Sequence, residues 1–275
     1  MATTDIYHVS GGLKGRKSVM FLGGDVDDYV QVNASGAALV AGNYTTGAIT
    51  AWVNIPDVTG TYTIIGYGDD NVVEFIELNI EAGLLTCRST DATVAQFVTQ
   101  ADAIHFTPHC WHHVAVVQRA DGSGVHLYVD GLEIARTHDT TTDLDSWFAE
   151  TDGIDTGRIG AANKAGNASV TQEFKGAISD VKVFTDSLTD AQVLDDYNEV
   201  PNTTNLLNHW DFNEDYNDNG SGADNGTAVG DILLSNNYCE FTSRLRYSTG
   251  VPVVADSVIC FADEGTGHAV VIQAA

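Results

Sequence analysis

The sequence predicts an all-β chain folded as an antiparallel two-sheet sandwich, with one short helix near residues 189–198. Three observations lead there. Apolar and polar residues alternate with period two through most of the stretch from Ser18 to Phe184, the pattern of half-buried strands. Asp-Gly and Gly-rich turns punctuate those runs at short intervals. The acid is 28 Asp against 10 Glu, accompanied by 27 Gly, and that mixture favours tight turns over helices.

The elements follow in order. Val19-Met-Phe-Leu22 and Tyr29-Val-Gln-Val32 flank the acidic turn Gly23 to Asp28. Ala48 to Ile55 alternates until Pro56 ends it, and Thr61 to Gly66 and Val72 to Ile80 follow. The turn Glu81-Ala-Gly83 leads into Leu84 to Arg88. Trp111 to Arg119, Val125 to Val129 and Leu132 to Ala135 form the clearest unit. Asp130-Gly131 between the last two is a strong hairpin signal, because a type I′ turn needs positive φ at both central residues. Thr189-Asp-Ala-Gln192 is a capping box that opens the helix; Val193, Leu194 and Tyr197 give it an apolar stripe, and Pro201 closes it. Asn205 restarts the alternation with Leu206 to Phe212, a polar loop to Thr227, and Val229 to Leu234. Residues 237–275 carry two further β-like runs, Val251 to Phe261 and His268 to Ile272, and form a C-terminal extension. Phe21, Trp52, Val114, Val116, Leu127, Val129, Ile178 and Val181 are the expected inward-facing residues.

Twelve Lys+Arg against 38 Asp+Glu leave a net charge of −26, which excludes a coat for DNA or RNA, since phosphate binding needs cationic surface. No apolar run reaches the length of a membrane-spanning helix. Met1 is not followed by a basic n-region and apolar h-region, so synthesis in a cytoplasm is expected, with Cys87, Cys110, Cys239 and Cys260 as reduced thiols.

Several segments together resemble the LamG-like, concanavalin A-like jelly-roll family, which includes pentraxin-like and laminin G-type domains. They are Met20-Phe-Leu-Gly-Gly-Asp-Val-Asp-Asp-Tyr-Val30, Ile49-Thr-Ala-Trp-Val53, Trp111-His-His-Val-Ala115, Leu127-Tyr-Val-Asp-Gly131, Arg158-Ile-Gly160, Phe174 to Phe184, and the helix start Leu188-Thr-Asp-Ala-Gln-Val193. Their order across the chain carries the resemblance. It implies a jelly-roll sandwich over residues 1–236. The strand Leu207 to Glu214 and the loop Asp218 to Thr227 resemble a strand and a "D-x-S-G" loop that open such domains, yet here they follow the helix. Either a late strand near 206–212 closes the domain in permuted order, or a second, truncated unit begins. The same order resembles LamG-like structural proteins of tailed bacteriophages.

Candidate sites are of four kinds. Glu77-Leu-Asn-Ile-Glu81 is similar to the "E-x-D-x-E" strand of jelly-roll glycoside hydrolases, but Asn79 stands where the middle acid belongs, so the carboxylate relay is broken. His105, His109, Cys110, His112 and His113 crowd one window, yet His112 and His113 point to opposite faces of a strand and do not converge as zinc needs. Asp215, Asn217 and Asn219 fit the first half of an oxygen-rich calcium loop whose twelfth position is Gly226 rather than Glu. The family resemblance adds Asp25, Asp27 and Asp28, with Asp180, as a second calcium candidate. Tyr67, Tyr128 and Trp147 are candidate platforms on which a sugar ring would stack. Lys14, Arg16 and Lys17 concentrate cations for docking to an acidic partner.

The resulting expectation is a non-enzymatic virion component, an exposed capsid decoration or fibre-type protein that also adheres to glycans. Its partners would be capsid or other virion proteins, copies of itself and cell-surface glycans, with calcium as the one cofactor. The alternatives are a carbohydrate-binding module outside any virion and, more remotely, a degenerate glycoside hydrolase.

Overall fold

A computed structural model describes residues 16–21, 27–164, 170–235, 257–261 and 269–273. In chain order it begins with β1 (Ser18–Phe21), β2 (Tyr29–Gln31), α1 (Asn33–Ala41), β3 (Gly47–Asn54), β4 (Thr61–Gly68), β5 (Phe75–Glu81) and β6 (Leu84–Asp91). It continues through β7 (Val94–Ala101), β8 (Trp111–Gln118), β9 (His126–Val129), β10 (Leu132–Glu133), β11 (Arg136–Thr141) and β12 (Thr156–Ile159). Then come β13 (Gly176–Phe184), α2 (Asp190–Tyr197), β14 (Leu206–Trp210), β15 (Thr227–Val229) and β16 (Leu233–Ser235). Residues 18–235 form one compact unit. Separately, β17 (Ser257–Phe261) and β18 (Ala269–Gln273) pair as an antiparallel hairpin.

Two antiparallel sheets of eight strands make the sandwich. The first runs β10-β9-β8-β3-β13-β1-β16, with β14 also on β13; the second runs β11-β7-β6-β5-β4-β12-β2-β15. Alternation sends one face of each strand into the shared core, as with Ile49, Ala51 and Val53 from β3 against Ile76, Leu78 and Ile80 from β5. Phe21, Val114, Val116, Leu127, Val129, Ile178 and Val181 lie in this core as expected. Trp52 does not. It shares the opposite face of the first sheet with Thr50, because Ala51 and Val53 already point inward.

Helix α2 covers that outer face. Thr189 accepts from the Gln192 amide while the Gln192 side chain returns to the Thr189 amide, so the capping box is closed. Val193 and Leu188 pack on Ala48, Ala115, Val117, Tyr128, Phe184 and Leu206 as a second, smaller apolar cluster. Tyr197 stacks on Trp52 with ring centroids 5.5 Å apart.

The other helix, α1, is not announced by the sequence. Its buried face is Ser35, Gly36 and Leu39, too small to register as an apolar stripe. Gly36 is required by closeness: a Cβ there would come within 3.1 Å of the Thr156 carbonyl oxygen. Val32, at the N-cap, offers no capping side chain. The Ser35 amide is satisfied instead by the Asp224 carboxylate, at 2.6 Å and 189 residues away.

That long-range cap belongs to a closing segment. The long strand β13 carries a register shift between Ser179 and Lys182. Its first half pairs with β1 through Val19↔Ile178, and its second half with β14 through Val181↔Trp210. Downstream, β15 pairs with β2 and β16 with β1, so strands from both ends of residues 18–235 complete both sheets. A chain ending at residue 200 would leave β1, β2 and half of β13 without these ladder partners. We expect such a fragment to be unstable and readily digested under limited proteolysis; a protease-resistant, soluble fragment of residues 1–200 would show that the late strands are dispensable.

Candidate functional site

The face of the second sheet that points away from the core carries a polar cluster across β4 to β7. In β5, core-facing Ile76, Leu78 and Ile80 leave Phe75, Glu77, Asn79 and Glu81 on the opposite side. Strand register then fixes the neighbours. Thr63 of β4, Asn79 of β5, Thr86 of β6 and Gln100 of β7 lie in one row across the sheet, and Arg88 lies directly opposite Glu77.

Glu77 is fully buried, and its two oxygens are treated unequally. Oε1 accepts from Lys164 Nζ at 3.0 Å, Asn79 Nδ2 at 3.1 Å and Arg88 Nη1 at 3.3 Å. Oε2, equally buried, has no hydrogen-bond partner. Thr63 Oγ1 and Asn79 Oδ1 beside it are also buried without a partner. Arg88 reaches Glu81 through its other terminal nitrogen, Lys164 reaches Gln172 Oε1 at 2.7 Å, and Gln100 donates to Thr86 at 3.0 Å. The Lys164 ammonium also lies 5.6 Å from the centre of the Phe75 ring.

The amide of Asn79 stands between the two carboxylates, where the "E-x-D-x-E" pattern has its middle acid. Both carboxylates share the Arg88 guanidinium.

The aromatic candidates are placed elsewhere. Tyr67, Tyr128 and Trp147 are at most 1% exposed, so none offers a ring face to a sugar. Tyr67 and Trp147 belong to the main core, with the Tyr67 hydroxyl 2.9 Å from Ser35 Oγ. Tyr128 sits beneath α2 and donates to Asp190 at 2.7 Å. An alternating strand buries its aromatic residues on either face when a helix covers the outer one, and alternation alone could not distinguish these cases.

The acidic candidates are dispersed. Asp25 lies outside the described residues. Asp27 is exposed, while buried Asp28 accepts from the Asp231 amide at 2.8 Å. Asp215 folds back to accept from both the amide and the side chain of Asn217, and the Asn219 amide donates to the His209 carbonyl. His112 bonds Asp130 and the Thr107 amide, while His113 faces Asp196; His105 and His109 are exposed. Among the described residues, no group of three or more His, Cys, Asp or Glu is arranged to hold a metal. Lys14 lies outside the described residues, and Arg16 and Lys17 are half-buried.

Asp180 belongs to a chain of alternating charge under α2. His113 Nε2 meets Asp196 Oδ2 at 3.0 Å, Lys182 Nζ bridges Asp196 at 2.7 Å and Asp180 at 2.8 Å, and His209 Nε2 lies 2.5 Å from Asp180. Burial pushes both carboxyls up, but the histidine hydrogen bonds and the Lys182 charge outweigh it and hold Asp196 and Asp180 below the usual carboxylate range. Burial pushes Lys182 down, and the two carboxylates raise it above its ordinary value.

Arg88 was legible from the Glu81-to-Leu84 turn, since that register puts residue 88 across from residue 77. Thr63 lies beyond a register shift between Thr63 and Ile65, and Lys164 comes from 87 residues downstream, so neither is marked in the sequence.

A family model described as the concanavalin A-like lectin/glucanases superfamily matches residues 22–194. Among solved structures, the CBM40 of the Ruminococcus gnavus IT-sialidase superposes with a TM-score of 0.53 at 16% identity, covering 65% of this chain and 95% of that one. The same module bound to α2,3-sialyllactose gives 0.52 at 13% identity with the same coverage. The native heptameric SAP-like pentraxin of Limulus polyphemus gives 0.52 at 12% identity, covering 82% and 98%. No curated protein matches the sequence.

Lys182 tests the charge chain. Depressed carboxyls contribute stability that is present above their unfolded value, about 3.9, and lost as pH falls through the folded one. The raised ammonium contributes below its unfolded value, about 10.4, and its share is lost as pH rises through the folded one. Lys182→Met should therefore cost about 3 kcal/mol at pH 7, with the gap to the parent narrowing below about pH 4. Urea denaturation at pH 7 and pH 3 measures it; a gap of equal size at both would mean lost packing alone.

Proposed function

The chain belongs to the concanavalin A-like lectin/glucanases superfamily, and from that premise we propose that it is a non-catalytic glycan-binding protein displayed on a virion. The observation that carries glycan binding is the row of buried, unpartnered oxygens at Thr63, Glu77 and Asn79 in the middle of a sheet face. Native proteins rarely leave such atoms unsatisfied, and a ligand that hydrogen-bonds there supplies the missing partners. Sugars are polyols whose recognition depends on side-chain acceptors and donors of this kind. The R. gnavus module solved with sialyllactose shares the sandwich and supports a binding role for this chain.

Non-catalysis is supported by the pairing of Glu77 and Glu81 with Arg88 and by the amide at Asn79. Display on a virion rests on a different observation, the placing of β14 and its loop after α2, an order that resembles phage structural proteins. The net charge of −26 suits an exposed, non-nucleic-acid surface, with other virion proteins and copies of this chain as neighbours. Calcium is part of the proposal at Asp215, Asn217 and Asn219, exposed residues of which the first two share hydrogen bonds that a divalent ion would replace.

A glycan array probed with the purified chain, with calcium and with chelator, tests the binding reading. Saturable binding without hydrolysis of the bound glycan is expected; an array with no binder under either condition would remove glycan recognition, and release of sugar would remove non-catalysis. Mass spectrometry of purified particles tests the virion reading, which absence of the chain from them would overturn.

A further inference from the structure

We propose that Lys164 and Asn79 join in an intramolecular isopeptide bond, with Glu77 carrying the protons of the reaction. The inference goes beyond the glycan-binding reading and does not depend on it. Three side chains meet at one point. Glu77 Oε1 accepts from Lys164 Nζ at 3.0 Å and from Asn79 Nδ2 at 3.1 Å, so nucleophile and leaving group touch the same carboxylate oxygen. The two nitrogens are therefore within about 6 Å of each other, a lysine rotation away from the separation of about 3–3.5 Å at which reacting atoms meet.

The fold builds this meeting. Glu77 and Asn79 are two residues apart on β5 and share its outer face. Lys164 reaches them because residues 161–163 cross β4 at two glycines. A Cβ at Gly66, the residue opposite Glu77, would stand 3.0 Å from the Ala161 carbonyl oxygen, and one at Gly68 would collide with that of Asn163. The lysine side chain is 22% exposed, with its ammonium 5.6 Å from the centre of the Phe75 ring, while Glu77 and Asn79 are closed to solvent. Both reactants belong to the chain, so nothing has to enter.

The atoms balance without a further reagent. Lys164 passes one proton to Glu77, whose buried Oε2 has no partner and accommodates it. Burial penalises charge, and this transfer turns an ion pair into a neutral amine and acid. The Nζ lone pair then attacks Asn79 Cγ; the Nζ–Cγ bond forms, the Cγ–Nδ2 bond breaks, and Glu77 hands protons from Nζ to the departing Nδ2. One ammonium ion is released in all, and Glu77 ends as the carboxylate it began as. Arg88 Nη1, 3.3 Å from Oε1, and Gln172 Oε1, 2.7 Å from Nζ, hold the acid and the amine in place. The reaction occurs once per molecule and acts on no external substrate. Its product ties the interior strand β5 to the segment that follows β12, and Thr63 Oγ1 and Asn79 Oδ1 persist as oxygens of this face.

Intact mass spectrometry and peptide mapping of the full chain test the bond. The parent should be about 17 Da lighter than its sequence requires, the mass of one ammonia, and digestion should yield a branched peptide joining the stretches that contain Asn79 and Lys164. Lys164→Arg keeps a cation beside Glu77 without an amine nucleophile. It should show the full mass and a lower Tm than the parent, because a covalent link restricts the unfolded chain. Glu77→Gln should also show the full mass; Lys164→Arg carries the comparison should that variant fail to fold. A parent of full mass with no branched peptide after prolonged incubation would overturn the proposal, as would a link between other residues or an ammonia loss that persists in Lys164→Arg. A link that still forms in folded Glu77→Gln would overturn the role given to Glu77. None of these measurements involves a glycan, so their failure leaves glycan binding standing, and an array without a binder leaves the cross-link standing.

Discussion

The sandwich depends on a late segment that completes ladders begun by the first strands. Along one edge of β13, a single strand position is shared by β1 and β14, segments almost two hundred residues apart in sequence. The same segment seats β15 and β16 on β2 and β1, and its Asp224 carboxylate caps α1. Trp210, fully buried in the core, donates its indole N–H to the Asp224 carbonyl. Asp218 accepts from Asn208 and from the amides of His209, Gly220 and Asp224, so the Asp-rich loop is organised by internal hydrogen bonds. Backbone donors that would otherwise be orphaned at both sheets are thus satisfied only when the chain has returned.

Closure matters for the polar face because a buried carboxylate is tolerable only in a fixed frame. Removing a charge from water costs several kcal/mol unless close partners replace the lost hydration. Glu77 gains three donors on one oxygen and none on the other, and β5, in the interior of the sheet, cannot shift to relieve the imbalance. An imbalance held in place by eight strands leaves acceptors with a defined direction. The charge chain beneath α2 differs in this respect: Asp196 and Asp180 each engage both oxygens with histidine and lysine partners, so that cluster fastens a helix and leaves no carboxylate oxygen open, with His113 Nδ1 its one buried atom without a partner.

Much of the fold was legible because its local chemistry is unambiguous. Asp130 and Gly131 take φ of 51° and 78°, the doubly positive pair expected for the hairpin turn, and the Thr189 to Gln192 box caps its helix as its spacing requires. β7 and β11 were not legible, since their alternation is carried by Thr, Gln and charged residues rather than by a regular apolar run. Helix α1 escaped notice because the group that caps it is supplied by Asp224, far away in sequence. Of the site, the strand Glu77 to Glu81 was visible as a pattern of acids, but its meaning came from Arg88, Lys164 and Thr63, and two of those three arrive through tertiary contact. Tyr67, Tyr128 and Trp147 show the converse, aromatic residues whose burial no one-dimensional pattern reveals.

The most direct test of the central claim, that the outer face of the second sheet is where this protein meets a sugar, is amide chemical-shift mapping during titration with an oligosaccharide that it binds. Shifts concentrated at Thr63, Glu77, Asn79, Thr86 and Arg88, together with a change in the Lys164 side-chain signals, are the predicted result. Shifts confined to the loop between Asn213 and Thr227 or to the surface of α2, with β4 to β6 unmoved, would contradict it.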